Sequence, residues 1–327
     1  MAMKNWKPTH RILNLELKHN QNSIGANQYY EDFHYIDLSQ ILSTINSRLY
    51  RQGRVYRIKN IVVHDGNGDA FVKFATLPHT WPMQKAWQTA LKHYLQMNDS
   101  VSEDALSTAA RLGRYHDFRI YMTKDHITDP DTPQFMDVEQ QNVVPSEFNY
   151  STFTDQDGGS ANQVVMYAMG DGSTATQQSC LQAFHELMTK AEDGTSDEAV
   201  ANWENGFYSN LIETSTGDDD ILQNRAEDYD NPPYPLDTFP GLGQAAEPWT
   251  MRELHIASQF GPQAATGGFD VPLGLLLIET AMTTSTTEES PNIIGIQIEL
   301  EEGTYKGVHA EPYGTPKRIN AKTWRVD

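Results

Sequence analysis

What most limits the folds open to this chain is a set of eight short strand-like segments with no alternation of strand and helix between them. In Arg11–Lys18 (RILNLELK), Leu13, Leu15 and Leu17 alternate with Asn14, Glu16 and Lys18, the period-two pattern of a strand with one buried face. Phe33–Leu38, Val55–His64, Phe71–Leu77, Phe118–Met122, Gln163–Met169, Leu273–Met282 and Ile293–Leu300 complete the set, most of them rich in β-branched and aromatic residues. A parallel sheet needs a helical crossover between strands, and that order is missing. The pattern therefore predicts an all-β fold, an eight-stranded antiparallel jelly roll of two four-stranded sheets with helices in its loops. A sandwich of different topology is the alternative.

Four helical stretches interrupt the strands. Ile41, Leu42, Ile45 and Leu49 share a stripe, which predicts a helix over Leu38–Arg51 that Gly53 ends. Met83, Trp87, Leu91 and Tyr94 line one face of a second, over Thr80–Met97, with Thr80 as its cap and a shorter helix over Glu103–Leu112 after it. Leu181, Phe184, Met188 and Ala191 mark the fourth, near Thr176–Ala191. Roughly a hundred residues then separate the sixth strand from the seventh, far beyond ordinary loop length. The expected organisation is one jelly-roll domain over 1–327, with 170–271 as an elaborated, surface-exposed insertion.

Charge is unevenly spread. The formal net charge is −20, the wrong sign for a free-standing nucleic-acid binder. Residues 1–60 nevertheless hold nine Lys/Arg against four Asp/Glu, and 306–327 hold five against two, whereas 186–237 hold fourteen acids and two bases. Basic ends around an acidic middle suggest two faces meeting different surroundings. Lys4, Lys7 and Arg11 precede or open the first strand. Arg48, Arg51, Arg54, Arg57 and Lys59 cluster within twelve residues, and Lys317, Arg318, Lys322 and Arg325 follow the last strand. Clustered cations are what phosphate neutralisation requires. A salt-bridged surface explains them equally well.

No catalytic signature stands out. A phosphate-binding Gly-rich loop, a Gly-x-Ser-x-Gly elbow and a dinucleotide fingerprint are all missing, and His185-Glu186 lacks the second histidine of a zinc-protease helix. With Cys180 as the single cysteine, an intrachain disulfide is impossible and a thiolate zinc site is not expected. The turn Asp65-Gly-Asn-Gly-Asp69 begins like a calcium loop but lacks the closing glutamate, and reads as hairpin chemistry. Asp218–Asp220 reads as a solvated acidic loop, with Ca²⁺ at a subunit interface as the alternative. Trp81 and Trp87 fit either helix core and subunit interface or a base-stacking role. The first residues, MAMKNWKPTHR, contain no apolar run, and Val271–Ile278 is too short to span a bilayer. The expectation is a soluble, non-enzymatic protein that does not engage membranes.

The runs DLSQILSTINSRLYRQGRVYRIKNI, TLPHTWPMQKAWQTAL, VPLGLLLIE and EEGTYKGVHAEP resemble capsid proteins of small circular, Rep-encoding single-stranded DNA viruses. The likeness covers roughly residues 35–97 and 271–313. It implies a jelly-roll subunit that self-assembles into an icosahedral shell around a single-stranded DNA genome, found in the virion and, during assembly, in the host cell. In that setting the three basic patches would face the genome, and Trp81 and Trp87 would lie at or near subunit contacts. Many such proteins begin with a long Arg-rich arm; this chain has only Lys4, Lys7 and Arg11 there. The alternative from another class is a jelly-roll carbohydrate-binding module or glycan-processing enzyme.

Overall fold

The computed structural model describes residues 8–19, 30–66, 70–104, 117–128, 134–136, 142–143, 149–154, 163–170, 176–188, 248–256, 261–282, 292–314, 317–318 and 324–325. In chain order the elements are β1 (Ile12–His19), β2 (Tyr30–Asp37), α1 (Leu38–Asn46), β3 (Arg54–Asp65), β4 (Ala70–Thr76), α2 (Trp81–Asp104) and α3 (Lys124–Thr128). Short strands β5 (Gln134–Met136), β6 (Asn142–Val143), β7 (Thr152–Thr154), β8 (Gln163–Tyr167) and β9 (Gln177–Ser179) follow, then α4 (Cys180–Met188). The chain closes with β10 (Trp249–His255), β11 (Gln263–Val271), β12 (Leu275–Met282), β13 (Asn292–Leu300), β14 (Ala310–Pro312), β15 (Lys317–Arg318) and β16 (Trp324–Arg325). No described helix is long and apolar enough to cross a membrane.

The chain divides into two compact units, the first comprising Met1–Leu77, Asp129–Asn149 and Pro248–Tyr313. It holds two antiparallel sheets. One runs β11-β3-β13-β1-β5-β6, with β14 also on β3, and the other runs β10-β4-β12-β2. Alternation decides which side chains turn inward. Leu13, Leu15 and Leu17 of β1, Ile58, Ile61 and Val63 of β3 and Ile294, Ile296 and Ile298 of β13 join one buried cluster with Ile36, Val72, Phe74, Leu276 and Ile278 of the other sheet. Phe74 and Phe269 meet within this core, ring centroids 6.5 Å apart. The all-β, antiparallel expectation therefore holds for this unit.

Six of the eight expected segments are strands of these two sheets. The sheets also contain β5, β6 and β14 and two long strands, β10 and β11, which lie inside 170–271, the segment expected to be an insertion. Much of the rest of it, 189–247, lies outside the described residues. Phe118–Met122 is not a strand: Tyr121 makes a single bridge to Tyr167. Asp117–Ile120 is buried throughout, so its apolar content reflects a core segment rather than a pleated face.

The helix after β2 is shorter than its stripe predicts. Asp37 caps it, accepting from the Ser39 and Gln40 amides, and Ser47, not Gly53, ends it in a left-handed conformation (φ 48°). The Arg48 and Ser47 amides close the last turn on Ser43 O and Thr44 O, at 3.2 and 3.4 Å, the Schellman arrangement. Ile41 and Leu42 point into the sheet core.

The second unit comprises Pro78–Thr128, Tyr150–Glu247 and Gly314–Asp327. Its described part pairs α2 with α4 and adds a three-stranded sheet β7-β8-β9. Met83, Trp87 and Leu91 of α2 are buried as their spacing predicts. Thr80 starts the helix through its carbonyl, which accepts from the Gln84 amide at 3.0 Å; its hydroxyl makes no hydrogen bond, so the expected side-chain cap is not formed. Glu103 and Asp104 are the last residues of α2, and the rest of the expected helix over 103–112 lies outside the described residues.

Candidate nucleic-acid interface

The seven residues between α1 and β3 are pinned along their whole length. The Tyr50 amide donates to Ser43 Oγ at 2.7 Å, and Ser43 Oγ donates to Ser39 O at 2.6 Å. The Arg51 amide donates to the Tyr305 hydroxyl at 3.2 Å, while the Arg51 carbonyl accepts from Tyr56 Oη at 2.7 Å. Gln52 is fully buried and donates to Asp37 Oδ2 at 3.2 Å, and the Tyr313 amide donates to Gly53 O at 3.1 Å. A segment tied this way presents its side chains from a fixed backbone. Arg48 and Arg51 were expected one helical turn apart; because α1 stops at Asn46, they stand in this loop instead.

A turn at the far end of the chain completes the corner. Lys306 has φ 53° and Gly307 φ 96°. A β-carbon on Gly307 would overlap the Thr9 hydroxyl, so this position needs glycine for both conformation and space. The Lys306 carbonyl accepts from Thr9 Oγ1 at 3.0 Å and Tyr50 Oη at 2.9 Å, and Lys306 Nζ donates to Leu49 O. Tyr50 and Tyr305 meet edge to face, centroids 5.9 Å apart. Arg54 lies over the Tyr305 ring with Cζ 3.5 Å from its centroid and donates to Ala310 O at 3.0 Å. Burial pushes the Tyr50 phenol above its ordinary pKa. The corner thus gathers Arg48, Arg51, Arg54 and Lys306 on a tyrosine scaffold.

Arg57 and Lys59, exposed on β3, and Arg11, which immediately precedes β1, are each neutralised by an acid. Arg57 Nη1 lies 2.9 Å from Asp270 Oδ1 and its Nε 3.4 Å from Glu301; Lys59 lies 2.7 Å from Glu299, and Arg11 lies 2.9 Å from Glu302. The hydrogen bond to Asp270 holds the Arg57 guanidinium above its ordinary pKa. Among the described residues no acid pairs with Arg48 or Arg51.

Of the remaining candidates, Lys4, Lys7 and Lys322 lie outside the described residues. Lys317 pairs with Arg325 and Arg318 with Trp324 in the β15–β16 register. Trp87 is 2% exposed and packs near Phe118, centroids 6.2 Å apart, while Trp81 is 48% exposed. Asp65 accepts from the Ala70 amide at 3.0 Å, but β3 and β4 belong to different sheets, so the expected hairpin is instead a connection from one sheet to the other. No group of three potential metal ligands occurs among the described residues, and Asp218–Asp220 lies outside them. Burial pushes the Cys180 thiol far up, leaving it unreactive.

Tyr305 and Lys306 were not among the cations and aromatics singled out from sequence, because some 250 residues separate them from the arginines they join. Their only local signal is the Thr-Tyr-Lys-Gly turn at 304–307. The chain matches no family model, no curated protein and no solved structure.

Proposed function

We propose that the chain is the structural subunit of a self-assembling icosahedral shell enclosing a single-stranded DNA genome, without enzymatic activity, and that its two sheets are those of a jelly roll. Strand order carries the reading. Of the eight longer strands, β1, β3, β11 and β13 lie in one sheet and β2, β4, β10 and β12 in the other. Successive strands change sheet at every step except β4 to β10, which pair directly. Two interleaved Greek keys give this wrapping, and the architecture recurs in viral capsid and lectin domains.

Architecture alone does not fix function. The second support is charge: an acidic chain of net −20 concentrates cations at one rigid corner. A shell subunit has such a division of labour, with a basic surface toward the genome and acidic loops toward solvent. Light scattering on the purified full chain tests the proposal. A closed particle of many subunits is the expected result. A monomer or small oligomer would exclude the shell and favour the carbohydrate-binding alternative.

A further inference from the structure

We infer that the corner formed by Arg48, Arg51, Arg54 and Lys306 is a phosphate-binding site for single-stranded nucleic acid, whereas Arg11, Arg57 and Lys59 serve the sheet and not the ligand. This rests on the proposed function for the ligand class, and on geometry for the division between the two sets. The sheet-face cations each have a carboxylate within 3.4 Å or less. Recruiting them to phosphate means breaking those pairs, which cancels much of the gain. Arg48 and Arg51 have no such competitor among the described residues.

The corner is also built beforehand. Tyr305 acts as a positioning residue for two arginines: its ring carries the Arg54 guanidinium and its hydroxyl accepts from the Arg51 amide. Lys306 is held in the left-handed region, uncommon for a residue with a long side chain, by two hydrogen bonds to its carbonyl. With the backbone of Arg48 and Arg51 held and the Arg54 guanidinium stacked, binding phosphate here orders less of the chain than it would on an unanchored loop. No side chain here is placed to read a base edge, so recognition is of the backbone and indifferent to sequence.

The test is fluorescence anisotropy of a labelled oligothymidylate against the full chain held as subunits, over a range of salt. On a single strand each phosphate contact contributes about 0.7 to the slope of log affinity against log salt. Replacing Arg48→Gln and Arg51→Gln together should lower that slope by about 1.4 and weaken binding about 25-fold at 0.1 M salt. Arg57→Gln with Lys59→Gln should leave both unchanged, and Arg48→Lys with Arg51→Lys should restore the slope, which separates charge loss from misfolding. Equal losses from the two Gln pairs, or a larger loss from the sheet-face pair, overturn the assignment. So does competition by polyglutamate as effective as that by the oligonucleotide. Shells that form from a chain that binds no oligonucleotide would remove this site and leave the shell; oligonucleotide binding at the corner by a chain that never assembles would do the reverse.

Discussion

Arg57 and Asp270 are direct partners in the β3–β11 register, and their side chains close to 2.9 Å across it. Glu301 supports the same guanidinium from β13's end at 3.4 Å. Both sides of the Arg57–Asp270 pair are 45% exposed, so solvent screens it. Arg57→Gln should cost about 0–1 kcal/mol, read by denaturant titration. A larger loss would mean that the pair holds β11 onto the sheet.

Asp37 carries more. It is 5% exposed, caps α1 through two amides and accepts from Gln52 Nε2. Asp37→Ala removes a cap and strands buried donors, at a cost of about 1–3 kcal/mol. Asp37→Asn, which keeps an acceptor, should recover part of it. Equal losses in the two variants would show that the charge, and not the acceptor, matters.

The two tryptophans of α2 should behave oppositely. Trp87→Ala opens a buried cavity and should cost about 3–5 kcal/mol. Trp81→Ala should shift subunit stability by no more than about 0.5 kcal/mol, while reducing assembly if Trp81 carries a subunit contact. Thermal melting of the subunit and particle yield, measured on both variants, separate the two roles.

Acid should destabilise the second unit. His126 Nδ1 accepts from the Met122 amide at 3.1 Å, and burial holds its pKa down to about 3; burial likewise lowers His93 to about 4. In the unfolded chain both titrate near 6.5. Below about pH 6.5 the unfolded state takes up protons that the folded one refuses, so stability is complete above that value and falls as pH drops toward 4. Melting temperatures at pH 7.5 and 5 should differ, and His126→Asn, which keeps an acceptor for Met122, should reduce the difference. An unchanged difference would place the pH sensitivity elsewhere.

The central strands were legible because each carries a full apolar face, as Leu13, Leu15 and Leu17 do. The two long strands that escaped notice are edges. β10 is largely exposed and β11 carries Gly267 and Gly268; an edge strand buries less and tolerates glycine, so its pattern is weak. Phe118–Met122 misled in the opposite sense, since burial on all sides mimics strand composition. The arginine cluster was visible as charge, but which members are free could not be read. Asp270, Glu299, Glu301 and Glu302 reach Arg57, Lys59 and Arg11 only through sheet pairing across more than 200 residues.

Sedimentation of nuclease-treated, purified protein tests the account most directly. The account predicts fast-sedimenting particles that carry nuclease-resistant single-stranded DNA, with the Arg48→Gln and Arg51→Gln variant assembling but depleted of it. Protein that stays at the top of the gradient as single chains, with no protected nucleic acid, would contradict it.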